Sequence, residues 1–275
     1  MNSVIPYFSQ IPSSHRSLIL IGGILFFWLL EGAWPLFQFR YNKWKHAGVN
    51  LFFTLTTILV NFPLAFLLVK TSDLAIQNHF GILEWLPTIP SWLYALVGLL
   101  VLDFVGAWLA HWTQHKIKWL WQFHVIHHAD HEVDTTTANR HHPGESLIRF
   151  TFTLLAILLA GAPMWLIFLY QSLSVVLSQF NHANIVLPVW LHRVLSTVIV
   201  TPNMHHIHHH YKQPYTDSNY GNIFSIWDRL LGTYKTLPQK EITYGIDTYP
   251  DAHENRKIGR LLQIPFQKYR APLKE

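Results

Sequence analysis

The sequence predicts an all-α membrane protein, with about four to five membrane helices under a histidine-rich helical cap. Three observations predict it. Half of the 275 residues are apolar and only 13% are charged, far below the roughly 25% usual for a soluble domain. Apolar runs long enough to cross a bilayer recur through the first two thirds of the chain. Histidine is concentrated: 15 of the 19 lie between His111 and His210.

The first apolar run extends from about Ser17 to Phe39. It carries Glu31 and no small-residue cleavage site follows it, so it reads as a retained span rather than a signal peptide. The second runs from about Ala47 to Val69 and the third from about Ser91 to Ala110. The fourth, from about Leu147 to Phe180, is too long for one span. Gly161-Ala162-Pro163 sits near its middle, and proline removes a helix donor. The stretch therefore reads as a helical hairpin, with one tilted helix as the alternative. From about Asn203 the chain turns polar and is expected to pack as a cap. Neither repeats nor linkers divide it, so residues 1–275 are expected to form one integral-membrane domain, with its core region at about 91–235.

Basic residues give an orientation. Arg40, Lys43 and Lys45 follow the first span, no Lys or Arg occurs from 71 to 110, and 11 of the 20 lie beyond Asn181. Positive segments stay in the cytoplasm. The histidine region and the C-terminal part are thus expected to be cytoplasmic, and the 71–90 loop to face the other side. The net charge of +5 comes from residues set between apolar runs, a pattern that does not suggest nucleic acid. With no cysteine, disulfides, cysteine-based zinc sites and iron–sulfur clusters are excluded. Twelve Trp and 18 Phe suit a lipid–water boundary.

The histidines form three sets with helical spacing. His111 and His115 are four apart, so they share a helix face. His124, His127 and His128 follow the pattern i, i+3, i+4, and His205, His208 and His209 repeat it after Thr201-Pro202, a helix start. His182 is a further candidate in Asn181-His182-Ala183-Asn184. A structural zinc takes about four ligands, so this number suits two metals with open positions. Imidazole suits iron, zinc or copper alike. His15, His46, His79, His192 and His253 read as surface or satisfied core residues. His131, His141, His206 and His210 stay open between structure and ligation. Asp103 lies inside the third span, where acids are costly and usually functional. About two turns before His111, it is expected to orient a ligand histidine.

The arrangement of these residues resembles the fatty acid hydroxylase / sterol desaturase superfamily. The likeness rests on Asp103-Phe104, His111-x-x-x-His115, Trp121-x-x-His124-x-x-His127-His128, Arg140-His141-His142-Pro143-Gly144-Glu145, Asn181-His182-Ala183-Asn184, Pro202-x-x-His205-x-x-His208-His209, Asp217-x-Asn219-Tyr220-Gly221 and Trp227-Asp228-Arg229. It covers roughly residues 100–235. Acyl-CoA desaturases and membrane alkane hydroxylases are similar but place a longer gap where only eight residues separate His115 from His124.

The resemblance implies a di-iron enzyme that uses O2 to hydroxylate or desaturate a lipid C–H bond. It implies the eight box histidines as ligands, with His182 as a ninth. Arg140, His142 and Glu145 would support the ligands or the loop, while Asp217, Asn219, Tyr220 and Asp228 would orient ligands or form the cap. No flavin, haem or iron–sulfur motif accompanies them, so an external electron donor is implied, a reductase with a ferredoxin or cytochrome b5. Two departures stand out. His206 occupies a position where relatives often carry Arg, and only His182 with Asn184 stands where some carry another histidine pair.

Other readings are weaker. A metal transporter needs ligands along a path through the bilayer, whereas these lie at span ends and in the cap. A zinc-dependent lipid hydrolase needs fewer ligands and no redox partner. His131-Glu132 does not complete a zinc-protease motif, because Thr135 stands where the second histidine is required. His142-Pro143-Gly144 is similar to a cytochrome b5 haem loop but has no soluble domain around it.

Overall fold

A computed structural model describes residues 1–273. The chain begins with a short helix, α1 (Val4–Ser9), and the first long one, α2 (Ser13–Ala33). The predicted first span continued to Phe39, but α2 stops before Pro35, which cannot extend a helix. Residues 34–37 instead run beside 184–186. Pro35 bridges Ile185, and the Leu36 and Phe37 N–H groups donate to the Asn184 carbonyl and side chain.

The second long helix, α3 (Lys43–Gln77), has 35 residues. At about 1.5 Å per residue it exceeds the roughly 30 Å of bilayer hydrocarbon. It runs eight residues past the predicted end, because Ser72 and Ala75 are buried there. The Ser72 hydroxyl donates to the Ala162 carbonyl at 2.8 Å. After the single turn α4 (Ile82–Trp85) comes a third long helix in two α-helical parts, α5 (Ser91–Asp103) and α6 (Ala110–Lys116), joined by a π-helical turn at Phe104–Leu109. Such turns are rare and recur near functional sites. Ile117, extended, redirects the chain into α7 (Lys118–His128).

The predicted hairpin is present as α8 (Pro143–Ala160) and α9 (Met164–His182). Gly161 caps α8 at φ 67°, and Pro163 precedes α9. At the tip Gly161 meets Gly81, whose φ is 114°. A Cβ on Gly81 would lie 2.3 Å from the Gly161 nitrogen, so only glycine allows this approach. Shorter helices follow: α10 (Val189–Leu195), α11 (Pro202–His208), α12 (Ile226–Leu230) and α13 (Ile258–Gln263).

Among the described residues, four helical stretches are long and apolar enough to cross a membrane: Ser13–Ala33, Lys43–Trp85, Ser91–Lys116 and Pro143–Ala160. Exposed Leu29, Leu59, Phe62 and Phe66 fit a lipid-facing outer surface. α8 packs on α3 and α5, while α9 packs on α2, α5 and α11. Between α5, α8 and α9 lies the main apolar core, including Leu102, Val105, Ile157, Leu166 and Ile167. α8 starts beside the histidine segments and ends at the Gly81–Gly161 contact. Histidines and hairpin tip therefore lie at opposite ends of the bundle.

A candidate metal centre

Two groups of imidazoles converge between α6, α7, α9 and α11. In the first, His111, His115, His124, His128 and His208 bring ring nitrogens within 4.8 Å of one another. In the second, His127, His182, His205 and His209 do the same. The groups are neighbours: His128 stacks on His209 with ring centroids 4.8 Å apart. Helix geometry explains the division. Adjacent residues point about 100° apart, so His127 and His128 serve different groups, as do His208 and His209. The i, i+4 pairs His111/His115, His124/His128 and His205/His209 each stay together.

Four rings of the first group are held from outside. His111 Nδ1 donates to the Tyr220 carbonyl at 2.8 Å, and His208 Nδ1 to the Ser218 carbonyl at 2.6 Å. His115 Nδ1 donates to Asp217 at 3.1 Å and His124 Nδ1 to Glu145 at 2.8 Å. A ring that donates through Nδ1 keeps its lone pair on Nε2 when neutral. All four Nε2 atoms are buried and lack partners among the described residues, as do both nitrogens of His128. In the second group His182 Nδ1 donates to the Ser178 carbonyl at 2.7 Å. Its Nε2 faces the Nε2 atoms of His127 and His205 at 3.1 and 3.0 Å. The Nδ1 atoms of His127 and His205 and both nitrogens of His209 have no partner among the described residues.

A buried polar atom without a partner costs roughly 1–3 kcal/mol. This many in one place fits a cation and does not fit packing. Burial and the neighbouring imidazoles push His127, His128, His205, His208 and His209 well below the ordinary histidine range. Burial takes His124 down to about 4 although Glu145 opposes it. The rings are thus neutral near pH 7, the state in which imidazole binds metal.

The other predicted residues have distinct places. Asp103 does not touch a histidine, contrary to expectation. Its carboxylate accepts from the Ile223 and Phe224 N–H groups and from the Trp227 indole. It points away from His111 toward the loop that follows Tyr220. Asp228 accepts from Tyr220 N–H, Gly221 N–H, Trp108 and Thr233. Asn219, at φ 51°, ties Met204 to Lys235. Arg140 is buried and donates to the Ile126 and Asn255 carbonyls and to Asn50. His142 caps α8 by accepting from Gly144 N–H.

The open histidines also resolve. His141 Nδ1 lies 2.9 Å from the Glu145 oxygen that His124 uses, and its ring stacks on His127. His206 meets the Tyr244 hydroxyl at 2.6 Å, His210 accepts from Thr243 N–H, and His131 meets the Ala129 carbonyl. His46 is buried, 2.9 Å from Asp130 and 3.2 Å from Asp134.

Two supports escaped sequence reasoning. Buried Glu31 pairs with Lys43 and accepts from the Thr135 and Asn184 N–H groups, fastening α2 to the segments on either side of the hairpin. The backbone carbonyls of Ser218 and Tyr220 hold ligand-type histidines but leave no side-chain signal.

The fatty acid hydroxylase family model matches residues 95–233, just over half the chain. The chain belongs to the fatty acid hydroxylase family. It is 27% identical over 183 residues to ornithine lipid hydroxylase OlsE of Rhizobium tropici, covering 66% of this chain and 53% of that one. It is 30% identical over 191 residues to alkylglycerol monooxygenase of Xenopus tropicalis, covering 65% and 38% respectively. A cholesterol 25-hydroxylase-like protein of Danio rerio is 30% identical over 136 residues, covering 49% and 53%. The chain thus spans about half or less of the length of these relatives. No solved structure gives a significant match.

Proposed function

We propose that this chain is an O2-dependent di-iron membrane oxidase that hydroxylates or desaturates a lipid C–H bond. The observation that carries the reading is the pair of adjacent, buried imidazole groups, whose ring nitrogens converge and include many without a partner among the described residues. His111, His115, His124, His128 and His208 would hold one iron, and His127, His182, His205 and His209 the other. Bound iron would supply O2 activation, with electrons from an external donor such as a reductase with a ferredoxin or cytochrome b5.

The remaining work belongs to the protein. Asp217, Glu145 and the Tyr220 and Ser218 carbonyls fix ring orientation and tautomer, which raises metal affinity. Neutral imidazoles add no negative charge. Tyr220, Ala107 and Ala138 border the histidine cleft. The basic segments after α2 and beyond Asn181 support a cytoplasmic site.

The test is metal analysis of detergent-purified protein loaded anaerobically with ferrous iron, beside a His127→Ala variant. About two irons per chain, lost or halved in the variant, would support the reading and justify a lipidomic search for the substrate. One zinc and no iron, unaffected by the substitution, would shift it to a hydrolase or metal carrier.

A further inference from the structure

A cleft of about 350 Å³, including its open mouth, lies against both histidine groups. His124, His127 and His182 line it together with Ser178, Asn222 and one charged side chain, Arg149. No carboxylate lines it among the described residues.

Arg149 stands one turn beyond Glu145 on α8 and is partly buried. Its backbone carbonyl accepts from Thr153, but its guanidinium makes no hydrogen bond or ion pair among the described residues. Arg140 provides the contrast, since three acceptors satisfy its guanidinium and its role is structural. A guanidinium presents five donors in a fixed fork that suits carboxylate or phosphate oxygens. The donors of Arg149 are open to an acceptor carried by whatever enters the cleft.

We propose that Arg149 binds an oxyanion, carboxylate or phosphate, on the head of the lipid substrate. This deepens the lipid oxidase reading and rests on it for the word substrate. Arg149 lines the same cleft as His124, His127 and His182, so a lipid whose head meets Arg149 lays its head and the first bonds of its chain beside the histidines. The carbon presented to them belongs to the head or the start of the chain, not to the far end of the tail.

The experiment measures binding to zinc-loaded, detergent-solubilised full chain. The probes are lysophosphatidate, an N-lauroyl amino acid, neutral monolaurin and tail-free glycerol phosphate. At least one anionic lipid should bind about tenfold or more tighter than monolaurin, the usual scale for a charge-assisted hydrogen bond. Glycerol phosphate should bind weakly. Arg149→Gln should abolish the preference, and Arg149→Lys should restore part of it. Equal binding of monolaurin and both anionic lipids overturns the proposal, as does a preference that survives Arg149→Gln. Glycerol phosphate binding as tightly as lysophosphatidate would make this a soluble-anion site and overturn it too. Metal content is measured on parallel samples of the same proteins loaded anaerobically with ferrous iron. A head-group preference without di-iron loading would sink the oxidase and leave the Arg149 site standing, and the reverse result would do the opposite.

Discussion

His124 donates its Nδ1 proton to Glu145 at 2.8 Å, and both side chains are buried. The bond joins α7 to the first turn of α8 and turns His124 Nε2 toward the first imidazole group. Glu145→Ala would leave the ring free to rotate and lose the carboxylate that favours its Nδ1–H tautomer. Removing such a supporting partner typically weakens metal binding by about 10–100-fold. Competition with a chelator of known affinity should reveal that loss. Glu145→Gln, which keeps an acceptor oxygen, should lose less. Equal affinity in wild type and Glu145→Ala would mean that His124 needs no support.

His208 and His209 are neighbours in sequence but belong to different groups. The expected result of His208→Ala or His209→Ala is therefore loss of about one metal per chain, from different sites. The double variant should lose binding at both. Iron spectroscopy on the singly substituted proteins should give two distinct residual signals. Identical signals would show that the two groups act as one site.

Much of this was legible in the sequence because helical spacing is a strong constraint. The apolar runs marked the spans, and the i, i+3, i+4 spacing marked the histidine segments that converge. The hairpin break followed from Gly161 and Pro163. The division of the histidines did not, because it depends on how α6, α7, α9 and α11 rotate about their axes. Asp103 was misread for a related reason. Sequence distance placed it near His111, whereas the π-helical turn and the returning 223–227 segment determine what it meets. Arg149 gave no signal, since a lone arginine gains meaning only from the cleft it lines.

Acid should destabilise the metal-free protein in a defined window. Burial lowers His124 from the ordinary 6.5 to about 4. Between those values the unfolded chain takes up a proton that the folded chain refuses. This contribution to stability is full above 6.5 and is lost as pH falls toward 4. His127, His128, His205, His208 and His209 are displaced the same way. Thermal unfolding of the metal-free protein in detergent should thus show Tm falling between pH 6.5 and 4. Bound metal should oppose the fall at the upper end of that window, since it occupies the same lone pairs. A flat Tm profile for metal-free protein would mean that the rings are not buried as neutral groups.

Asp103 offers the sharpest test of how the cap is fastened to the bundle. Its carboxylate accepts from Ile223 N–H at 3.1 Å, Phe224 N–H at 3.0 Å and the Trp227 indole at 3.1 Å. Just upstream in the same loop lies Tyr220, whose carbonyl holds His111. Asp103→Ala would leave those donors buried without an acceptor, at a cost of about 2–4 kcal/mol. Asp103→Asn retains one acceptor oxygen and should cost less. Because Asp228 independently holds the Tyr220 and Gly221 N–H groups, His111 should keep its partner in the molecules that fold. Asp103→Ala should therefore lower Tm and yield while nearly preserving metal content in the folded fraction. Glu145→Ala should do the reverse, with metal affinity falling more than Tm. If Asp103→Ala strips metal without lowering Tm, the carboxylate acts on the ligands after all, and its role as an anchor of the 223–227 segment is wrong.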